Sequence, residues 1–155
     1  MIERLLAGLL AAAFSAGVLA EDPWSVASAM DDDRPLIARY RTAVPDAIVT
    51  SDYPDLVILS WKYDSKSGMP SPLESERMTD MEERVRAAVE AAGQAYLTVV
   101  VTGNGVCEWQ FYSKETRIFI QMMNEALSGR PVYPIQISDQ EDPEWSAYKR
   151  FSEAE

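Results

Sequence analysis

The chemistry open to this chain is narrowed first by what it lacks: among 155 residues there is no histidine, and there is a single cysteine. Without imidazole, Ser-His-Asp triads, Cys-His dyads and the common zinc sites fall away, because each needs a group that titrates or ligates near neutral pH. Carboxylate chemistry remains. Asp and Glu number 25, enough to furnish the carboxyl pair of a glycosidase, and Trp61, Trp109 or Trp145 has the flat apolar face that stacks on a sugar ring. No spacing singles out such a pair, and acids in this number fall mostly in helix first turns, loops and solvated faces. No catalytic residue is assigned on these grounds.

Metal and cofactor chemistry finds equally little support. A calcium loop needs oxygen ligands spaced along the chain, usually with a bidentate Glu, whereas Asp31-Asp32-Asp33 is consecutive and reads as a turn. Gly103-Asn104-Gly105 lies between two strand-like runs and is followed by no Lys-Ser/Thr pair, so it is not a phosphate loop. Neither a metal nor a cofactor is expected. Cys107 alternates with Trp109 and Phe111, which places it on an apolar strand face with no basic neighbour to lower its pKa. It reads as a small core residue, and being alone it forms no intramolecular disulfide. The balance of 14 basic against 25 acidic side chains, net −11, disfavours nucleic acid and anionic membrane surfaces as partners.

The elements that would position any site begin after a leader. Met1 to Arg4 precede sixteen uncharged residues, Leu5 to Ala20, and the composition turns polar at Glu21-Asp22-Pro23. That run is shorter than the ~20 residues a spanning helix needs, and Val18-Leu19-Ala20 puts small residues where a signal peptidase reads. Residues 1–20 are expected to be a signal peptide, leaving 21–155 as a single periplasmic or secreted domain with no membrane attachment once cleaved.

Within 21–155, Trp24–Met30 and Pro35–Thr42 flank a polar turn and predict a hairpin. Asp55–Tyr63 predicts a central strand, its first half apolar at nearly every position. Ser71-Pro72-Leu73-Glu74 combines an N-cap, a first-turn proline and a capping-box glutamate; the helix it opens carries Met78, Met81, Val85, Ala88, Val89 and Ala92 on one face and ends at Gly93. Strands Ala95–Thr102 and Val106–Tyr112 follow, joined by Gly103-Asn104-Gly105. A second helix is predicted over Lys114–Leu127 with Ser113 as its cap. The last strand is predicted over Val132–Ser138, with Pro134 favouring an edge. Asp142-Pro143 then opens a short helix bearing Trp145, Tyr148 and Phe151.

From Asp55 onward the order strand, helix, strand, strand, helix, strand is the ferredoxin-like split βαβ pattern of an α+β fold, with a hairpin before it and a short C-terminal helix after it. Whether the hairpin extends a sheet edge or covers the open sheet face stays undecided at this level. Strict alternation turns Val57, Leu59, Trp61, Leu97, Val99, Val101 and Trp109 toward the helices. Leu56, Ile58, Tyr96, Thr98, Val100, Gln110 and Tyr112 then form the opposite face, a candidate interaction face.

A family resemblance is carried by Trp24, the strand Pro35–Arg41, Val57-x-x-x-Trp61-x-Tyr63, Gly68-Met-Pro70, Trp109-Gln-Phe-Tyr112, Asn124-x-x-Leu127 and Asp142-Pro-x-Trp145-x-x-Tyr148. Together they resemble the bacterial family catalogued as domain of unknown function 695, over nearly all of residues 21–155. The resemblance implies the fold and contributes no mechanism. The resulting expectation is an exported, acidic, non-catalytic domain that engages a protein partner or itself as a homo-oligomer. The rival is a carboxylate-dependent hydrolase or glycan-binding protein.

Overall fold

The computed structural model describes residues 10–12 and 23–154. They form one seven-stranded antiparallel sheet and three α-helices. The strands are β1 (Leu10–Ala12), β2 (Trp24–Asp31), β3 (Arg34–Arg41), β4 (Asp55–Lys62), β5 (Ala95–Gly103), β6 (Val106–Ser113) and β7 (Ile135–Glu141). The helices are α1 (Pro72–Ala91), α2 (Thr116–Ala126) and α3 (Ser146–Ser152), and a 3-10 turn spans Thr50–Asp52. The sheet order is β1-β2-β3-β5-β6-β4-β7, so the hairpin β2–β3 extends an edge by pairing β3 with β5. This is longer than a bare split βαβ sheet, in which β5 would itself be an edge.

Two tight turns set the registers of this extension. Asp32 and Asp33 both take positive φ, 47° and 63°, as do Asn104 and Gly105 at 52° and 76°. Two-residue loops with left-handed residues match the twist of antiparallel strands, and Asp and Asn tolerate that region better than branched residues. The turns also touch: Asn104 Nδ2 donates to Asp31 Oδ2 at 2.6 Å.

One face of the sheet is covered by α1 and α2. The capping box of α1 forms, with Ser71 Oγ accepting from Glu74 N and Glu74 accepting from Ser71 N. Met78, Met81, Val85 and Val89 of α1, with Phe119 and Met123 of α2, then pack on Val57, Leu59, Trp61, Leu97, Trp109 and Phe111. The start of α2 differs from expectation. Its N-cap position is Glu115, without a side-chain cap bond, and the first turn is satisfied instead by Asp55 Oδ2, which accepts from Thr116 N at 2.9 Å and Thr116 Oγ1 at 3.1 Å. A carboxylate brought in from β4 replaces the local serine. The last strand also starts later, at Ile135, because Pro134 has no N–H for the ladder.

The other face is closed by α3. Asp142 Oδ1 accepts from Ser146 N and Asp142 Oδ2 from Ala147 N, both at 2.9 Å, while Tyr112 Oη donates to Oδ2 at 2.6 Å. Trp145, 1% exposed, stacks on Tyr112 with ring centroids 4.2 Å apart, and its Nε1 donates to the carbonyls of Thr50 and Tyr53. Tyr148 Oη reaches the Arg41 carbonyl at 2.8 Å. A seven-residue helix is unstable alone and is held here by its buried aromatics. Trp145→Ala is expected to lower unfolding free energy by about 3–5 kcal/mol, read as a lower midpoint in denaturant titration; an unchanged midpoint would defeat this account.

The Asp142 carboxyl also sets an acid limit. Burial would raise its pKa, but the Ala147 N–H, the Tyr112 hydroxyl and Ser146 together hold it below the ordinary carboxylate value. A depressed folded pKa contributes stability that is present above the unfolded value, about 3.9, and is lost as pH falls through the folded one. Asp142→Asn should therefore lower stability at neutral pH and flatten its decline below about pH 4, measured by denaturation across pH.

Candidate functional site

The seven residues of the sequence-derived face do not lie together on one open surface. Leu56 and Tyr112 sit in the cluster beneath Trp145, Tyr148 and Phe151. Tyr96 is half-buried against Tyr53, and Ile58 of β4 is half-buried at the margin of the same cluster. Thr98 is fully buried, with Oγ1 donating to the Gln110 carbonyl at 3.0 Å. Gln110 is buried too, and among the described residues its Oε1 has no hydrogen-bond partner. Val100 has changed sides.

The cause is a register shift in β5. Leu97 pairs with Phe111 and Val99 with Gln110, so Thr98 is the extra residue of a bulge. Beyond it the alternation inverts: Val100 joins Trp109 under the helices, while Val99 and Val101 pack on the α3 side. Strict alternation had placed all three the other way.

On the α1 side, a cleft of about 270 Å³ opens between the start of α1 and strands β2, β3, β5 and β6. Val26 and Ile37, 45% and 38% exposed, form its rim, and Met78, Val100 and Trp109 its walls. Met78 and Glu82 are one turn apart on α1 and so face it together. Glu82 Oε2 accepts from Trp109 Nε1 at 2.9 Å and pairs with the Arg39 guanidinium. Beside the cleft, the guanidinium carbons of Arg39, Arg41 and Arg86 lie 5.2–5.4 Å from the Trp24 ring centroid. Arg41 also donates to the Leu97 carbonyl and pairs with Glu90.

The sequence pattern assigns none of Arg39, Glu82 and Trp24 to a site. The signal was present as two matching rows: Arg39 and Arg41 two apart on a strand face, and Glu82, Arg86 and Glu90 four apart on a helix face. Which helix meets which strand is a tertiary fact. Trp61, Trp109 and Trp145 are all at most 2% exposed, so none presents a ring for sugar stacking.

Cys107 lines the cleft but is 3% exposed, with Thr102 Oγ1 at 3.4 Å. Burial pushes its thiol up to about 12, so it stays protonated and un-nucleophilic at neutral pH. A second depression of about 420 Å³ lies at the β5–β6 turn, lined among others by Arg34, Lys62, Asp64, Glu108 and Gln136. Burial raises the Glu108 carboxyl above its ordinary value. Among the described residues no group of three His, Cys, Asp or Glu is placed to hold a metal ion, and no helix is long and apolar enough to cross a membrane.

Residues 22–152 match the family described as "Family of unknown function (DUF695)". The chain belongs to the DUF695 family. The match runs from just before β2 to the end of α3, so in this DUF695 domain the added hairpin and the closing helix both lie within the matched residues. Comparison with curated proteins and with solved structures returned no match. For the DUF695 domain, Cys107 is expected to react slowly with a thiol reagent in the native state and rapidly after denaturation; rapid native labelling would show that the cleft exposes the sulfur.

Proposed function

We propose that this DUF695 domain works after export, in the periplasm or outside the cell, as an acidic non-catalytic domain that binds a protein partner or itself. The observation that carries the reading is the state of the cleft's polar groups. Its one carboxylate, Glu82, is committed to Arg39 and Trp109, and its thiol is held protonated, so what it offers a ligand is an apolar rim and a fixed shape. The net charge of −11 supports a protein partner over nucleic acid or an anionic membrane. Support for export is the apolar run Leu5 to Ala20 and its small-residue end.

Beneath this we read β4 to β7 as a ferredoxin-like split βαβ unit extended by the hairpin. Support comes from the run β5-β6-β4-β7 within the sheet and from α1 and α2 packing on one face. The rival hydrolase reading is confined to the second depression, where Asp64 and Glu108 share one lining and Glu108 is raised.

The test uses the exported domain as bait in periplasmic extract, with mass-spectrometric identification and affinity measured on the purified partner. Wild type should retain a defined protein, and Ile37→Asp, a change on the exposed rim, should weaken that complex by about tenfold or more while circular dichroism stays native. Undiminished binding by Ile37→Asp would remove the cleft from the interface. Hydrolysis that Glu108→Gln abolishes would replace binding by catalysis.

A further inference from the structure

The outer edge of β2 is built to take a strand. The Pro23 carbonyl accepts from Thr42 N at 2.9 Å, and the hairpin register pairs Ala27 with Ala38 and Asp31 with Arg34. Odd-numbered residues of β2 therefore direct their N–H and C=O toward β3, and alternation turns those of Val26, Ser28 and Met30 outward. In the full chain that outer row is occupied by β1, with Leu10 opposite Ser28, Ala11 opposite Ala27 and Ala12 opposite Val26.

Those occupants belong to the expected leader. Cleavage after Ala20 would remove them and leave Trp24 to Met30 as an edge. The segment has no proline, no lysine and no charge before Asp31, so it lacks the features by which exposed edges are ordinarily blocked. It also carries Val26 and Met30, 45% and 66% exposed, on the α1 side of the sheet.

We propose that the processed chain pairs with a second copy of itself, β2 against β2 in antiparallel sense, about a two-fold axis at Ser28; this rests on residues 1–20 being a removable leader. The register sets Val26 opposite Met30 of the second copy, twice, and Ala27 opposite Ala29, so that exposed apolar side chains meet one another. It also brings the Asp31–Asp33 turn of each copy toward the other's Trp24 end, where Arg39, Arg41 and Arg86 outnumber their partners Glu82 and Glu90 by one charge. This local attraction between opposite charges acts at short range, whereas the mutual repulsion of two chains at −11 is screened beyond roughly 8 Å at physiological salt. In the precursor, β1 occupies the same row and keeps the edge closed until export.

The experiment expresses the full chain with its leader, purifies the exported product, sequences its N-terminus and measures its mass by size exclusion with light scattering. The expected product begins at Glu21 and has twice the chain mass. Ser28→Pro removes only an outward N–H and should return the monomer with native thermal unfolding; Ser28→Lys, at an exposed position facing itself across the axis, should do the same without touching the backbone. A product that retains Met1 overturns the leader reading and this pairing with it. A product that begins at Glu21 and is monomeric overturns the pairing alone, and a dimer that survives both substitutions overturns the β2 route.

Discussion

The Asp142 carboxylate decides whether the sheet has a second layer. It accepts from two backbone N–H groups at the start of α3 and from the Tyr112 hydroxyl near the end of β6, so one group both starts the helix and ties it to the sheet. Trp145 can then lie flat on Tyr112, and its indole N–H closes the loop before β4. Tyr148 carries the connection to the Arg41 carbonyl, and the Arg41 guanidinium carries it through the sheet to Leu97 and Glu90 of α1. Two helical layers on opposite faces are thus joined by one polar path through β3, in a protein that has no disulfide to do so.

The bulge at Thr98 decides which residues of β5 serve each layer. Before it, Leu97 faces α1 and α2; after it, Val100 does, while Val99 and Val101 turn to the α3 side. Thr98 is accommodated because its hydroxyl donates to the Gln110 carbonyl instead of being buried without a partner. The hairpin can then pair along Leu36 to Tyr40 with the portion of β5 beyond the bulge. Inverting that portion turns Val100 toward the cleft and Val99 away from it.

Charge has been placed for position more than for reactivity. Glu82 and Glu90 each sit between arginines, and those arginines surround Trp24, so the hairpin is locked onto α1 by paired charges with their guanidinium groups against an indole. The acid excess lies elsewhere, on exposed turns and helix faces.

Local order was legible wherever neighbours in sequence are also neighbours in space. The capping box at Ser71, the left-handed turn at Asn104-Gly105 and the closing role of Asp142-Pro143 all follow from rules that span a few residues. Burial of Cys107, Trp61 and Trp109 followed from alternation alone. What only the tertiary structure decided involves residues far apart in the chain. Asp55 caps a helix 61 positions away, Arg39 and Arg41 find Glu82 and Glu90, and the hairpin extends the sheet at β5 instead of covering it. The candidate face changed for the same reason: one extra residue in β5 inverts a period-two pattern, and α3 covers what that pattern left open. Alternation predicts faces only while the register is unbroken, and register is settled by the partner strand.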